Sequence, residues 1–455
     1  MVIPAYSMDL SEQGSPLPLT HEKRRYLYDS AVSGTIDDAY REMPPFMSRG
    51  TGGSVLLHLE EAISAAVQTH PAIRSAVELL VQRGYLVSAA KAGYLPQIGL
   101  EMQTERESSK DIAFTPTLYL SQLVYDFGKT RSQVRSARAD LGRQTVVAME
   151  QMDSIIQRTA SSFINVHRYQ EQLQSAETQI TNIRRVVGMA EQRARSGLAS
   201  NSDPIQSRTR LDAAIANRLT VRTYLDQARE QLILLMGFEH DGPTAPMDAE
   251  LLARADIYNT PELDNMLVVL LAQADYEAAD SQLDAAKSAF FPSISLVAST
   301  EKTLTGENPN TGVEEDEYNR LGLNLNQTLY QGGRIMSQHK AASSARESAT
   351  QSLDAARLRA KESVNVSRLE IEGLIARRKV LVRRTKSIDA TRELYQEQYQ
   401  LGTRSVLDLL NSEQEYYQAV TEELAADHEF WNALVYYMIL KGDVRSVFSI
   451  ESASR

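Results

Sequence analysis

The chain says one long phrase twice. Arg195-Ser196-Gly197-Leu198-Ala199-Ser200-Asn201-Ser202-Asp203 is answered 205 residues on by Gln400-Leu401-Gly402-Thr403-Arg404-Ser405-Val406-Leu407-Asp408. At the same offset Tyr125-Asp126-Phe127-Gly128 meets Tyr330-Gln331-Gly332-Gly333, and Gly237 meets Gly442. At an offset of 196, Lys91-Ala92-Gly93-Tyr94-Leu95-Pro96 meets Lys287-Ser288-Ala289-Phe290-Phe291-Pro292. These anchors keep one order in both halves. A long unit repeated in this way reads as a tube or an array, not as an enzyme with one pocket. It divides the 455 residues into an N-terminal extension over 1–54, a first repeat over 55–245, a second over 246–445 and a tail over 446–455.

Proline placement says what each repeat contains. None of the fourteen prolines lies between Thr117 and Asp203, and none follows Pro309. Proline breaks helix interiors, so these windows can hold very long helices. The first opens at Gly128-Lys129 and closes at Gly197; the second opens at Gly333-Arg334 and closes at Gly402. A helix of that length measures roughly 100 Å at 1.5 Å per residue. A second helix returns after each glycine, over about Asp203–Met236 and Arg404–Leu440, giving two long hairpins. In the second window Ala342, Ala345, Ala349, Leu353, Ala356, Ala360 and Val364 form a stripe. Its mean step, about 3.7, is close to the 11-residue repeat of straight packing.

Strand signals occupy the remaining space. Leu321, Leu323, Leu325, Gln327 and Leu329 alternate with Gly322, Asn324, Asn326, Thr328 and Tyr330. Ten residues of period two match one tilted transmembrane β-strand. The mate is Ser293–Ser299, across the polar loop Glu301–Tyr318 with its acidic stretch Glu314–Glu317. The first half repeats the plan with Ile98–Thr104 and Leu118–Val124 around Glu105–Thr115. Four strands cannot close a barrel, and an open edge cannot face lipid. Eight strands give a filled barrel and twelve leave a lumen, so three copies under cyclic symmetry are the simplest closure.

Composition removes other classes. The net charge of -11 is wrong for a nucleic-acid surface. There is no cysteine, hence no disulfide, thiol catalyst, cysteine–zinc site or lipid anchor on cysteine. None of the seven histidines stands at metal-ligand spacing, and Gly332-Gly333 lacks the Lys-Ser/Thr of a phosphate loop. No catalytic group, metal or cofactor is expected. No run of about 18 apolar residues exists, so no transmembrane helix is expected. Met1–Thr20 has no apolar core of an export signal. Residues 1–54 read as irregular, with at most a short helix near His21–Tyr28.

His70-Pro71, Gly93-Tyr94-Leu95-Pro96-Gln97 and above all Tyr399-Gln400-Leu401-Gly402-Thr403-Arg404-Ser405-Val406-Leu407-Asp408-Leu409-Leu410 resemble the TolC family of outer-membrane channels. The resemblance covers about residues 56–445. It implies a mainly α protein with a small β part: a long α-helical barrel and a 12-stranded transmembrane β-barrel shared by a homotrimer. It places the chain in the outer membrane, spanning the periplasm. The implied partners are a periplasmic adaptor protein and an inner-membrane ABC or proton-driven transporter. The exported cargo would be a protein or a small molecule. The missing lipid-anchor cysteine makes the chain look more like the type I secretion branch than the drug-efflux branch.

The resemblance assigns a periplasmic gate to the hairpin turns at Gly197 and Gly402. Tyr399 and Arg404 from the second turn match gate positions, as do Ser202 and Asp203 from the first. A guanidinium bonded to a carboxylate or carbonyl would hold neighbouring hairpins until a partner displaces it. The plainer reading is that Ser202 and Asp203 cap the returning helix. Asp408 matches the first of two aspartates ringing the pore entrance, while the second position is Asn411. Tyr94, Phe114, Tyr119, Tyr125, Phe127, Phe290, Phe291, Tyr318 and Tyr330 are candidates for interfacial aromatic girdles or for packing where helix meets strand. The rival of another class is a soluble coiled-coil scaffold.

Overall fold

The computed structural model describes residues 56–105, 113–259, 261–305, 308, 310–314, 316–448 and 450. The extension over 1–54 with its expected helix at His21–Tyr28, most of the Glu105–Thr115 loop, Glu315 of the acidic loop and the last five residues of the tail lie outside them.

The element order is α1 Leu59–Thr69, α2 Pro71–Lys91, β1 Gln97–Glu105, β2 Ala113–Tyr125, α3 Lys129–Arg195, α4 Ser202–Met236, α5 Glu250–Ala255, α6 Leu267–Ser288, β3 Ser293–Lys302, β4 Glu317–Asn326, α7 Arg334–Gln400, α8 Val406–Lys441 and α9 Val444–Val447. α3 and α7 each run 67 residues, inside the windows that proline vacates. Their returning helices, α4 and α8, run 35 and 36. Gly197 at φ +73° and Gly402 at φ +80° supply the left-handed turns between them, a conformation that costs any residue with a Cβ. Among the described residues, no helix is long and apolar enough to cross a membrane.

The chain forms two compact units, each drawing on both halves of the sequence. Val77–Ala148 and Val268–Leu358 build the first. It carries a four-stranded antiparallel sheet in the order β1-β2-β3-β4. Register pairs Ile98 with Leu120, Leu100 with Leu118, Ile294 with Leu325, Leu296 with Leu323 and Ala298 with Leu321. The β2–β3 pairing sets Leu120 beside Ala298, so these residues share one face. Period-two alternation puts Glu101, Thr117, Tyr119, Ser299, Arg320 and Asn324 on the other. The apolar face is bare, with Leu323 72% exposed and Leu321 75% exposed. Among the described residues β1 and β4 each keep an unpaired edge.

β4 departs from its expected span. It begins at Glu317 and ends at Asn326, leaving Gln327–Tyr330 outside the ladder. The cause is the partner strand: β3 starts at Ser293, whose mate is Asn326, and Pro292 before it has no N–H to extend the pairing. Gln327 instead donates through its side chain to the Phe290 carbonyl. β2 is longer than expected, 13 residues, and tolerates a register shift between Leu123 and Tyr125. At its end Asp126 accepts from the backbone N–H groups of Gly128 and Thr130, at 3.1 and 2.7 Å, and so starts α3. Phe127 stacks on Phe291 there, ring centroids 5.0 Å apart. These two aromatic residues pack at the strand–helix junction.

The second unit comprises the described part of 56–76, with Met149–Leu267 and Arg359 onward. Its apolar core near the turns joins four helices: Ile180, Ile183, Val186 and Ala190 of α3, Ala214 of α4, Tyr399 of α7, and Val406, Leu409 and Leu410 of α8. Both hairpins therefore pack on one another. Farther along, Arg445 of α9 donates to Asp153 of α3 at 2.6 Å, both side chains buried. The small-residue stripe runs through both units: Leu353 and Ala356 of the first and Ala360 and Val364 of the second are buried, whereas Ala345 of the first is exposed.

Candidate functional site

All the candidate residues at the two turns belong to the second unit; between the turns Asp203 acts on Tyr399 through its charge, while Arg404 and Ser202 make their contacts within their own hairpins. Ser202 and Asp203 open α4, one step beyond its N-cap Asn201, so neither caps the helix. Ser202 donates to Ser200 Oγ at 2.9 Å, and the Ser200 hydroxyl accepts from the Ser202 backbone N–H at 3.2 Å. The turn is thus braced by Ser200, which the sequence reading passed over. Gly197 has open space around it, and Leu198 beside it is 71% exposed.

The second turn is held more firmly. Ser405 and Asp408 form a reciprocal capping box: the Ser405 hydroxyl accepts from the Asp408 backbone N–H, and the Asp408 carboxylate accepts from the Ser405 N–H. This is the Ser-x-x-acid signature of a helix start, and it was legible in the sequence. Arg404 lies within its own hairpin. Its Nε donates to Gln398 at 3.0 Å, its guanidinium sits 4.3 Å from the Tyr395 ring centroid, and Nη1 stands 3.9 Å from Asp408. Asp408 thereby faces a shallow groove between α7 and α8, lined also by Arg384, Thr391, Tyr395, Asn411 and Glu415. Asn411, in place of a second aspartate, accepts from Arg210 of α4 at 3.3 Å.

Tyr399 is 3% exposed, and its hydroxyl has no hydrogen-bond partner among the described residues. Burial pushes the phenol above its ordinary range, against the pull of Arg193. Arg193, near the end of α3, was not singled out from the sequence. Nη1 donates to the Tyr399 carbonyl at 2.7 Å, and the guanidinium lies 5.1 Å from the Tyr399 ring centroid. No local pattern reveals this contact, because 206 residues separate its ends.

Above the turns a buried carboxylate joins three helices. Glu413 of α8 is 3% exposed and accepts from Asn182 of α3 at 3.4 Å and from Arg392 of α7 at 3.5 Å. Burial raises its pKa; Arg392, Asn182 and Arg185 pull the other way. The described residues hold no cluster that could bind a metal ion. What the arrangement offers is mechanical: two turns, braced internally and tied to each other, with charge at their surface.

The fold is that of outer-membrane channels. It overlays the outer membrane protein VceC of Vibrio cholerae with a TM-score of 0.73 at 17% identity, covering 84% of this chain and 96% of the other. The CusC structure gives 0.75 at 18% identity, covering 87% and 95%. Residues 62–238 and 262–435 match the outer membrane efflux protein family, and the chain belongs to that family. Outer membrane protein TolC of Escherichia coli is 27% identical over 393 residues, 79% of this chain and 76% of the relative. The alkaline protease secretion protein AprF of Pseudomonas aeruginosa is 22% identical over 344 residues, 71% and 69%. Proteins of this family are passive channels, not enzymes, and the chain is an outer-membrane protein that spans the periplasm. TolC-family channels work as trimers with adaptor and inner-membrane transporter partners.

Proposed function

We propose that three copies of this chain form one conduit of a type I protein secretion system, closed at its periplasmic end by the hairpin turns. The observation that carries the trimer is the sheet. Four strands with a bare apolar face and two open edges cannot rest in lipid alone. Three such sheets edge to edge make a 12-stranded barrel with Leu100, Leu296 and Leu323 toward lipid and Glu101, Ser299 and Asn324 toward the lumen. The element order supports an ancestral duplication over 55–245 and 246–445: strand, strand, long helix and returning helix recur in each part. Tyr399, Arg404, Ser202 and Asp203 act as the gate, around the turns at Gly197 and Gly402. Three copies of Asp408 ring the entrance and favour cations. A periplasmic adaptor and an inner-membrane transporter, ABC or proton-driven, open the gate and supply the energy.

Protein cargo is favoured by the alignment to AprF, a protein named for alkaline protease secretion. A second reading is small-molecule efflux, favoured by the alignment to outer membrane efflux protein BepC of Brucella suis, 21% identical over 352 residues. Deleting the gene separates them. Loss of a secreted protein from the medium with unchanged drug tolerance supports secretion. Drug sensitivity with unchanged secretion rejects it. The gate is tested by single-channel conductance in planar bilayers, where Tyr399→Ala and Arg404→Ser should each raise conductance and an unchanged trace removes them from the gate.

A further inference from the structure

We propose that Arg193 is the latch between the two hairpins, the positioning residue that holds the second turn against the first in the closed channel. The proposal rests on the gate reading above and adds to it a residue from α3 that no turn motif contains. Three contacts converge on one guanidinium. Nη1 donates to the Tyr399 carbonyl at 2.7 Å. The cation lies 5.1 Å from the Tyr399 ring centroid. Nη2 would stand 3.2 Å from a Cβ built on Gly402, so the guanidinium fills the notch that this glycine leaves open.

The electrostatics suit that place. Tyr399 is in the last turn of α7, where carbonyls lack helical partners and the helix dipole presents negative charge. Its carbonyl also accepts from the Gly402 N–H at 3.0 Å, so Arg193 adds a cation to an existing turn bond. Arg193 has no carboxylate within ion-pair distance among the described residues. The neighbouring Glu191 is taken by Arg195 and Arg208 inside the first hairpin. Arg404 is taken by Tyr395, Gln398 and Asp408 inside the second. Arg193 alone of these arginines crosses.

Other polar links cross between the hairpins farther along: Arg210 to Asn411 at 3.3 Å, Asn182 to Glu413 at 3.4 Å and Gln179 to Gln414 at 3.4 Å. They are longer and join helix to helix. The Arg193 bond is the shortest of them, and it grips the turn itself. The second turn cannot swing away from the first hairpin without breaking it. A charge-assisted bond of this kind shifts a two-state balance by roughly tenfold or more.

The test uses the intact trimer in planar bilayers, with Arg193→Ala, Arg193→Lys, Tyr399→Ala and Arg404→Ser measured side by side. Arg193→Ala should raise the time-averaged conductance about tenfold. Arg193→Lys should leak less, because an ammonium still donates to the carbonyl but lacks the planar fork. A purely structural role would not be rescued by lysine in this graded way. Unchanged conductance in Arg193→Ala, with Tyr399→Ala and Arg404→Ser open, overturns the latch and leaves the gate standing. Silence in all four variants removes gate and latch together. Should Arg193→Ala fail to assemble, Arg193→Lys decides: an intermediate leak supports the latch, and none overturns it.

Discussion

Arg193 reaches from the end of α3 to the carbonyl of Tyr399 in the last turn of α7, and its second amino group occupies the space beside Gly402. The two turn glycines are therefore not equivalent. Gly197 needs its left-handed φ and nothing else, for a Cβ there would meet open space. Gly402 needs both the φ and the room. Gly197→Ala should cost about 1 kcal/mol, the strain of a left-handed residue with a side chain. Gly402→Ala should cost more than that, since a Cβ there would stand 3.2 Å from Arg193 Nη2 and push on the guanidinium. Denaturant unfolding of both variants measures the gap, and equal losses would show that the Arg193 contact contributes nothing.

Glu413 predicts a pH dependence whose sign follows from its burial. Its pKa is raised in the folded chain, mainly by removal from water. The groups acting on it are Arg392 of α7, Asn182 and Arg185 of α3, and Tyr416 on its own helix. A raised carboxylate pKa means that the native state holds the proton longer than the unfolded chain. Its favourable contribution is complete below the ordinary glutamate range and is lost as pH rises through the raised native value. Glu413→Gln removes that titration. Melting temperatures of the unmodified protein and the variant should diverge in the variant's favour between the acid side of the carboxylate range and neutrality. Parallel curves would place Glu413 in a solvated environment.

Arg445 and Asp153 make a buried ion pair that fastens α9 to α3. Removing one partner strands the other charge away from water. Asp153→Ala should cost about 3–5 kcal/mol. Asp153→Leu combined with Arg445→Met should recover much of that loss, because a buried pair adds little over well-packed apolar groups. Urea unfolding of the unmodified protein and the two variants measures both effects. A double variant as damaged as the single one would mean that the pair itself is needed.

Much of this architecture was legible because its signals are local. The proline-free windows and the glycines that close them gave both long helices to within a few residues, since a break in a helix is written where it occurs. The alternation around Leu323 gave a strand, but its end was misplaced: Gln327–Tyr330 continue the pattern while the partner strand has already stopped at Pro292. The Ser405–Asp408 capping box is also written locally, as a serine three residues ahead of an acid, and it is compatible with a place for Asp408 at the pore. Arg193 belongs to another category. It looks like any exposed basic residue near a helix end. Only packing of α3 against α7 brings it to Tyr399, and no pattern within either helix encodes that meeting.

Leu323 and Asn324 give the sharpest test of how the sheet is used, because they are adjacent on β4 and point to opposite faces. Leu323 pairs with Leu296 on the bare apolar face, and Asn324 pairs with Ser295 on the polar one. If the apolar face meets lipid, Leu323→Arg places a cation in the hydrocarbon at a cost of about 2–4 kcal/mol near the midplane, repeated in every subunit. Asn324→Arg places the same side chain in a water-filled lumen, where it remains solvated. The yield of heat-resistant trimer in purified outer membranes should therefore collapse for Leu323→Arg and stay close to normal for Asn324→Arg. The lumen variant should also shift the reversal potential toward anions. Equal yields from the two variants would mean that this sheet does not divide lipid from water, and the three-sheet barrel would have to be abandoned.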